Sequence, residues 1–74
     1  VNNSASTLIT VQCYGWENAT GGGGYSASTS LLGSAPVNRT GNIAGAGDAP
    51  SGWQAKFSAE NIDNTVYVLC TPIM

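Results

Sequence analysis

Trp53-Gln54-Ala55-Lys56-Phe57-Ser58-Ala59-Glu60 and Thr65-Val66-Tyr67-Val68-Leu69-Cys70-Thr71 are the two stretches that decide the fold. In the first, Trp53, Ala55, Phe57 and Ala59 alternate with Gln54, Lys56, Ser58 and Glu60. That period of two marks a strand with one dry face and one wet face. In the second, Val66, Val68 and Cys70 share one side, and Tyr67, Leu69 and Thr71 share the other. Its β-branched and aromatic content suits a pleated, half-buried surface. Residues 60–64 between them are rich in Asn and Asp, which hydrogen-bond their own backbone in turns. The two runs are expected to form a hairpin.

The same reading extends outward. Residues 7–14 are a strand candidate with Ile9, Val11 and Cys13 on one side. Residues 15–24 read as a turn region ending in four glycines. Residues 24–32 read as a strand of small residues, with Tyr25, Ala27, Thr29 and Leu31 on one face. Residues 33–52 form a long Gly- and Pro-rich connection with a short strand near 37–40, and so long a loop in a compact domain is often functional. Residues 1–6 are a flexible polar N-terminal arm. No stretch has helical periodicity, and the Gly, Ser and Thr content disfavours one. The expectation is an all-β chain. Residues 7–74 form a single small antiparallel β-sandwich around Ile9, Val11, Tyr25, Trp53, Phe57, Val66 and Val68.

Seventy-four residues bury roughly 60% of the unfolded surface, which leaves little stability to spare. Two cysteines, Cys13 and Cys70, match no zinc or redox spacing, and the chain has no His. Two buried free thiols are one alternative. Strand phase favours a bond, because each sulfur lies on the apolar side of its strand. A Cys13–Cys70 disulfide closing this span stabilises by about 4 kcal/mol in the chain-entropy model.

Only 8% of the residues are charged, against about 25% in an average soluble domain. A free monomer resists association with a more charged surface. Glycans, burial in an assembly, or membership of a longer polypeptide would each answer the deficit. One Lys and one Arg do not cover a phosphate backbone, so no nucleic-acid partner is expected. No run approaches the roughly 20 apolar residues of a membrane span, so no membrane insertion is expected.

A resemblance rests on four segments: Cys13-x-x-Trp16, Thr20-Gly21-Gly22-Gly23-Gly24, Ser51-Gly52-Trp53 and Val66-Tyr67-Val68-Leu69-Cys70. Together, across residues 11–71, they resemble a small β-module found at the ends of secreted bacterial surface proteins and phage tail fibres. The chain departs from that pattern at Trp16, where glycine is usual nearby, and in its longer stretch 31–50. The resemblance implies a non-enzymatic fibre or surface module.

The residues themselves point the same way. Without His, Ser-His-Asp and Cys-His nucleophile systems are ruled out, leaving Glu60 with Asp63 and Glu17 with Asp48 as the only acid–base pairings to weigh. The first pair sits in a turn, where carboxylates serve the backbone. No catalytic residue, metal site or cofactor is assigned. Gly21–Gly24 lacks the Lys-Ser/Thr of a phosphate loop and reads instead as a tight turn, or as a strand receiving an aromatic ring. Asn2, Asn18 and Asn38 each begin an Asn-x-Ser/Thr sequon and are candidate glycosylation sites. Leu8, Thr10 and Gln12, with Tyr67, Leu69 and Thr71, form a candidate low-charge face for self-association. Tyr14 and Trp16 are candidate sugar-stacking residues, although such aromatics more often fill a core or an interface.

The function expected is therefore a structural module of an extracellular fibre or filament, on a cell or virion surface, self-associating with its own copies. The competing reading is a carbohydrate-binding surface module that meets cell-surface glycans. A secreted toxin or inhibitor fits less well, since those carry more disulfides. Peptide mapping without reductant is expected to recover one cross-linked species containing Cys13 and Cys70; free thiols at both positions would remove the staple from the fold.

Overall fold

The computed structural model describes every residue except Val1, Ser4, Ala46 and Met74. It holds six strands: β1 (Asn2–Asn3), β2 (Leu8–Gln12), β3 (Glu17–Tyr25), β4 (Leu31–Val37), β5 (Gly52–Phe57) and β6 (Thr65–Pro72). They make two three-stranded sheets, ordered β1-β6-β3 and β2-β5-β4, with every pairing antiparallel. The chain is all-β, and Cys13 and Cys70 are bonded, with Cα atoms 6.0 Å apart. Since Cys13 follows β2 and Cys70 lies in β6, this bond ties one sheet to the other.

The core lies between the layers. Ile9, Ala55, Phe57 and Val66 are buried together, and Val11 and Trp53 pack against them. The alternation read in 53–59 holds as far as Phe57; Ser58 and Ala59 are exposed in the connection that follows.

The expected hairpin of 53–60 with 65–71 does not form. β5 is the central strand of its sheet, paired to β2 on one edge and β4 on the other, so no edge remains for β6. The turn itself is present: Asn64 N–H donates to Asn61 O at 3.0 Å, and Asp63 N–H to Asn61 Oδ1 at 2.8 Å. What carries the chain across to the other sheet is Asn64, whose side chain is wholly buried. Its Nδ2 donates to Ser6 O at 3.0 Å and Ala59 O at 2.9 Å, and its Oδ1 accepts from Thr29 Oγ1 at 2.7 Å. Three connections are thereby knotted at one end of the sandwich. A buried amide satisfied in this way is stabilising, whereas an orphaned one is costly.

Residues 17–24, expected as part of a turn, instead lie in the long strand β3. The register shifts between Ala19 and Gly21, leaving Thr20 as an extra residue. A bulge of this kind reverses the side on which every later residue points. Ala19 faces inward opposite Cys70; after the shift Gly22 and Gly24 face inward, opposite Val68 and Val66. Tyr25, expected in the core, is turned outward and is 64% exposed. Val68 is half-buried. The anticipated strand over 24–32 likewise divides, since 26–30 connect β3 to β4.

Glycine is required on the inner side of β3. A Cβ at Gly22 would stand 2.5 Å from Trp53 Cγ and 2.6 Å from Tyr67 O. At Gly24 it would meet Ala55 Cβ at 2.7 Å. The rings of β5 thus lie directly on bare backbone, which is the strand reading of the glycine run.

β4 begins earlier than the short strand expected near 37–40. It ends at Val37, and the chain folds back through an isolated bridge between Val37 and Ile43. Gly41, at φ 89°, makes that turn in the left-handed region natural to glycine. Val37 is fully buried by this return, though no alternation in the sequence marks it. Ser51 closes the loop by donating N–H to Val37 O at 2.9 Å and Oγ–H to Gln12 Oε1 at 2.8 Å. At the other end, Asn2 and Asn3 of the anticipated flexible arm pair with Val66 and Thr65.

Gly22→Val is expected to cost about 1–3 kcal/mol through overpacking. Gly21→Ala, whose Cβ meets only Leu69 Cδ1 at 3.8 Å, is expected to stay within about 0.5 kcal/mol of the parent. Urea unfolding of the two variants measures the difference; equal stabilities would contradict the close approach of Trp53 to β3.

Candidate functional site

Two surface features stand out. The first is the outer side of β3 and β6. Register places Asn18, Gly21, Gly23 and Tyr25 there, beside Thr65, Tyr67, Leu69 and Thr71, with the bulged Thr20 exposed at the same level. None of these is charged. Tyr67 lies along Gly23, where a Cβ would stand 2.7 Å from its Oη, and Leu69 lies over Gly21. Tyr67 and Leu69 are 41% and 60% exposed, too much for a core role.

Leu8 and Thr10, expected on that same face, are not there. They belong to β2, in the other sheet, and with Gln12 they point away from Ile9 and Val11. The anticipated single face is therefore two faces on opposite sides of the sandwich. On the second face Leu8 is exposed beside Lys56, the only charged β2, β4 or β5 residue.

The second feature is the turn from β2 to β3. Tyr14 and Trp16 stack with ring centroids 4.9 Å apart and planes 9° from parallel, and both rings are about two-thirds exposed. The backbone under them is held on either side of Gly15. Glu17 N–H donates to Tyr14 O at 3.0 Å, and Tyr14 N–H to Glu17 Oε1 at 3.2 Å. Ile73 N–H donates to Trp16 O at 2.8 Å. Arg39 reaches across with Nη1 on Cys13 O at 2.8 Å and Nη2 on Tyr14 O at 3.3 Å. The disulfide anchors the same turn from below.

The sequons separate by setting. Asn38 accepts at Oδ1 from Thr40 N–H, Thr40 Oγ1 and Asn42 N–H, an Asx turn on a loop. Asn18 sits within β3 opposite Thr71, and Thr20 of its sequon donates to Leu69 O. Asn2 is in β1; its side chain lies outside the described residues.

The carboxylates serve local structure. Asp63 Oδ2 accepts from Ser28 Oγ at 3.0 Å, Asp48 Oδ2 from Gly45 N–H at 2.9 Å, and Glu17 from Tyr14 N–H. Glu60 is exposed. Cys13, Glu17 and Cys70 cluster within 4.8 Å, but both sulfurs are bonded to each other and are not thiolate ligands. No pocket is present among the described residues.

The pairing of Arg39 with the carbonyls at 13 and 14 is invisible to sequence reasoning, since it spans about 25 positions of irregular chain. The class of protein is a disulfide-closed, six-stranded antiparallel β-sandwich. No protein-family model, curated protein or solved structure matches the chain.

Trp16→Ala is expected to change stability by about 1 kcal/mol or less, since the residue is about two-thirds exposed and stacks on the equally exposed Tyr14. Trp53→Ala is expected to cost roughly 3 kcal/mol. Denaturant titration followed by circular dichroism separates them; comparable losses would make Trp16 a structural residue.

Proposed function

We propose that the domain is a non-enzymatic structural module of an extracellular fibre, assembled from copies stacked sheet on sheet. Cells keep disulfides mainly in oxidising compartments, and the Cys13–Cys70 bond is consistent with an extracellular location. The observation that carries the reading is the pair of opposed outer faces. One presents Tyr67, Leu69 and Tyr25 with no charge among the β3 and β6 residues beside them; the other presents Leu8, Thr10 and Gln12 with Lys56 alone. Sheets pack face to face at about 10 Å, and Lys can lay its aliphatic stem along an apolar neighbour.

The placement of these residues on opposite sides matters to the form of the assembly. A single self-complementary patch closes into a dimer and stops. Two different patches on opposite sides join head to tail and leave each new copy with an unused face, so growth continues. The low charge of the chain removes the repulsion that would oppose it.

Sedimentation of the purified chain is expected to show polymers that Leu69→Lys and Leu8→Lys each reduce to monomers. An equal mixture of the two variants is expected to form a one-to-one dimer, because each supplies the face the other lacks. A monomeric parent chain would overturn the fibre reading, and polymers of Leu8→Lys would overturn head-to-tail stacking.

A further inference from the structure

We infer that the Tyr14–Trp16 stack is a preorganised platform for an uncharged pyranose, and that Arg39 is the residue that positions it. This binding role is separate from assembly: the turn joins the two sheets at the end of the sandwich and belongs to neither outer face.

Two large aromatic rings held in the open contribute little to a core. Both are about two-thirds exposed, and among the described residues their aromatic ring contact is with each other. Surface rings of this kind would ordinarily be mobile, yet the turn beneath is bonded at residues 13, 14, 16 and 17 and is tethered by a disulfide. Ordering a recognition loop before its ligand arrives removes an entropic cost from binding. Arg39 is one of only two cations in the chain, and its guanidinium grips two backbone carbonyls. Its planar fork is suited to that bidentate hold in a way an ammonium is not.

The chemistry of the ligand follows from what the turn offers. The stacked rings cover each other's facing sides and leave their outer faces for a ligand, and the axial C–H groups of a pyranose carry the partial positive charge that such a face attracts. Gly15 between them adds no side chain, and a Cβ built there meets nothing within 4 Å, so the turn is open at that point. The phenol of Tyr14 and the indole N–H of Trp16 can hydrogen-bond hydroxyl groups at the rim. An anionic ligand is disfavoured, because the one nearby cation is engaged with carbonyls and the chain is net negative.

The test uses the Leu69→Lys chain, so that its outcome does not depend on whether the domain polymerises. Cellohexaose, chitohexaose and mannohexaose are titrated by isothermal calorimetry, with Trp emission followed alongside, and with sialyllactose and a decaproline peptide as comparators. At least one neutral hexasaccharide is expected to bind with a Kd of about 1 mM or tighter and to shift Trp emission. Trp16→Ala is expected to abolish the response, and Arg39→Gln to weaken it by about tenfold with near-ultraviolet dichroism of the ring pair reduced. Tyr14→Ser provides a second variant should Arg39→Gln fold poorly. Absence of binding by all three neutral sugars, retention of binding in Trp16→Ala, or preference for decaproline or sialyllactose would each overturn the proposal. An Arg39→Gln chain with unchanged affinity would overturn its positioning role alone.

Discussion

The contact between the Trp53 ring and the bare backbone of Gly22 sets the distance between the two sheets on the β3 side, and much else follows from it. A side chain at 22 or 24 would hold β3 away from β5, and the rings of Trp53 and Phe57 would lose the surface they cover. Close-packed interiors tolerate little change in volume, so the glycines are as much a part of the core as the rings they meet. The Trp53 Nε1–H is buried with no partner among the described residues, so the ring is held by packing and not by a hydrogen bond. The bulge at Thr20 brings the correct glycines to that position. In doing so it places Tyr25 and the Tyr67–Gly23 contact on the outside.

The disulfide completes what packing begins. With one small layer on each side, the core of Ile9, Ala55, Phe57 and Val66 is short. A bond between sheets limits how far they can separate in the unfolded chain, and its effect rivals the whole net stability of a domain this size. It also holds the base of the aromatic turn, so one covalent link supports both the fold and the surface presented above it.

Much of the architecture was legible in the residues. Alternation in 53–57 and 65–70 identified two strands and their inward sides, and the phase of Cys13 and Cys70 identified the bond. The glycine run admitted a strand under an aromatic ring, as found at Gly22. What escaped were effects without a local signal. With 15–24 read as a turn, neither β3 nor its bulge enters the phase, and Tyr25 takes an inward side from a separate run over 24–32 that the structure does not contain as one strand. The hairpin between β5 and β6 was inferred from proximity in sequence, but β5 had both edges occupied by distant strands. Leu8 and Tyr67 could be recognised as outward-facing, but not as belonging to opposite sheets, because sheet membership depends on long-range pairing. At the aromatic turn, the sequence offers Tyr14 and Trp16 as surface candidates but leaves a core or interface role open, and their stacking and the grip of Arg39 depend on a loop whose path no pattern specifies.

The position of the sulfur bridge has a mechanical meaning for a chain under tension. A pull applied outside the bridge enters through the chain before Cys13, crosses the sulfur–sulfur bond, and leaves through the chain after Cys70. The 56 residues between the two cysteines lie inside the closed loop and cannot be drawn out while the bond is intact. What can peel away is β1 from β6, β2 from β5, and the residues after Cys70 from β3, so extension of the domain stops at the bridge.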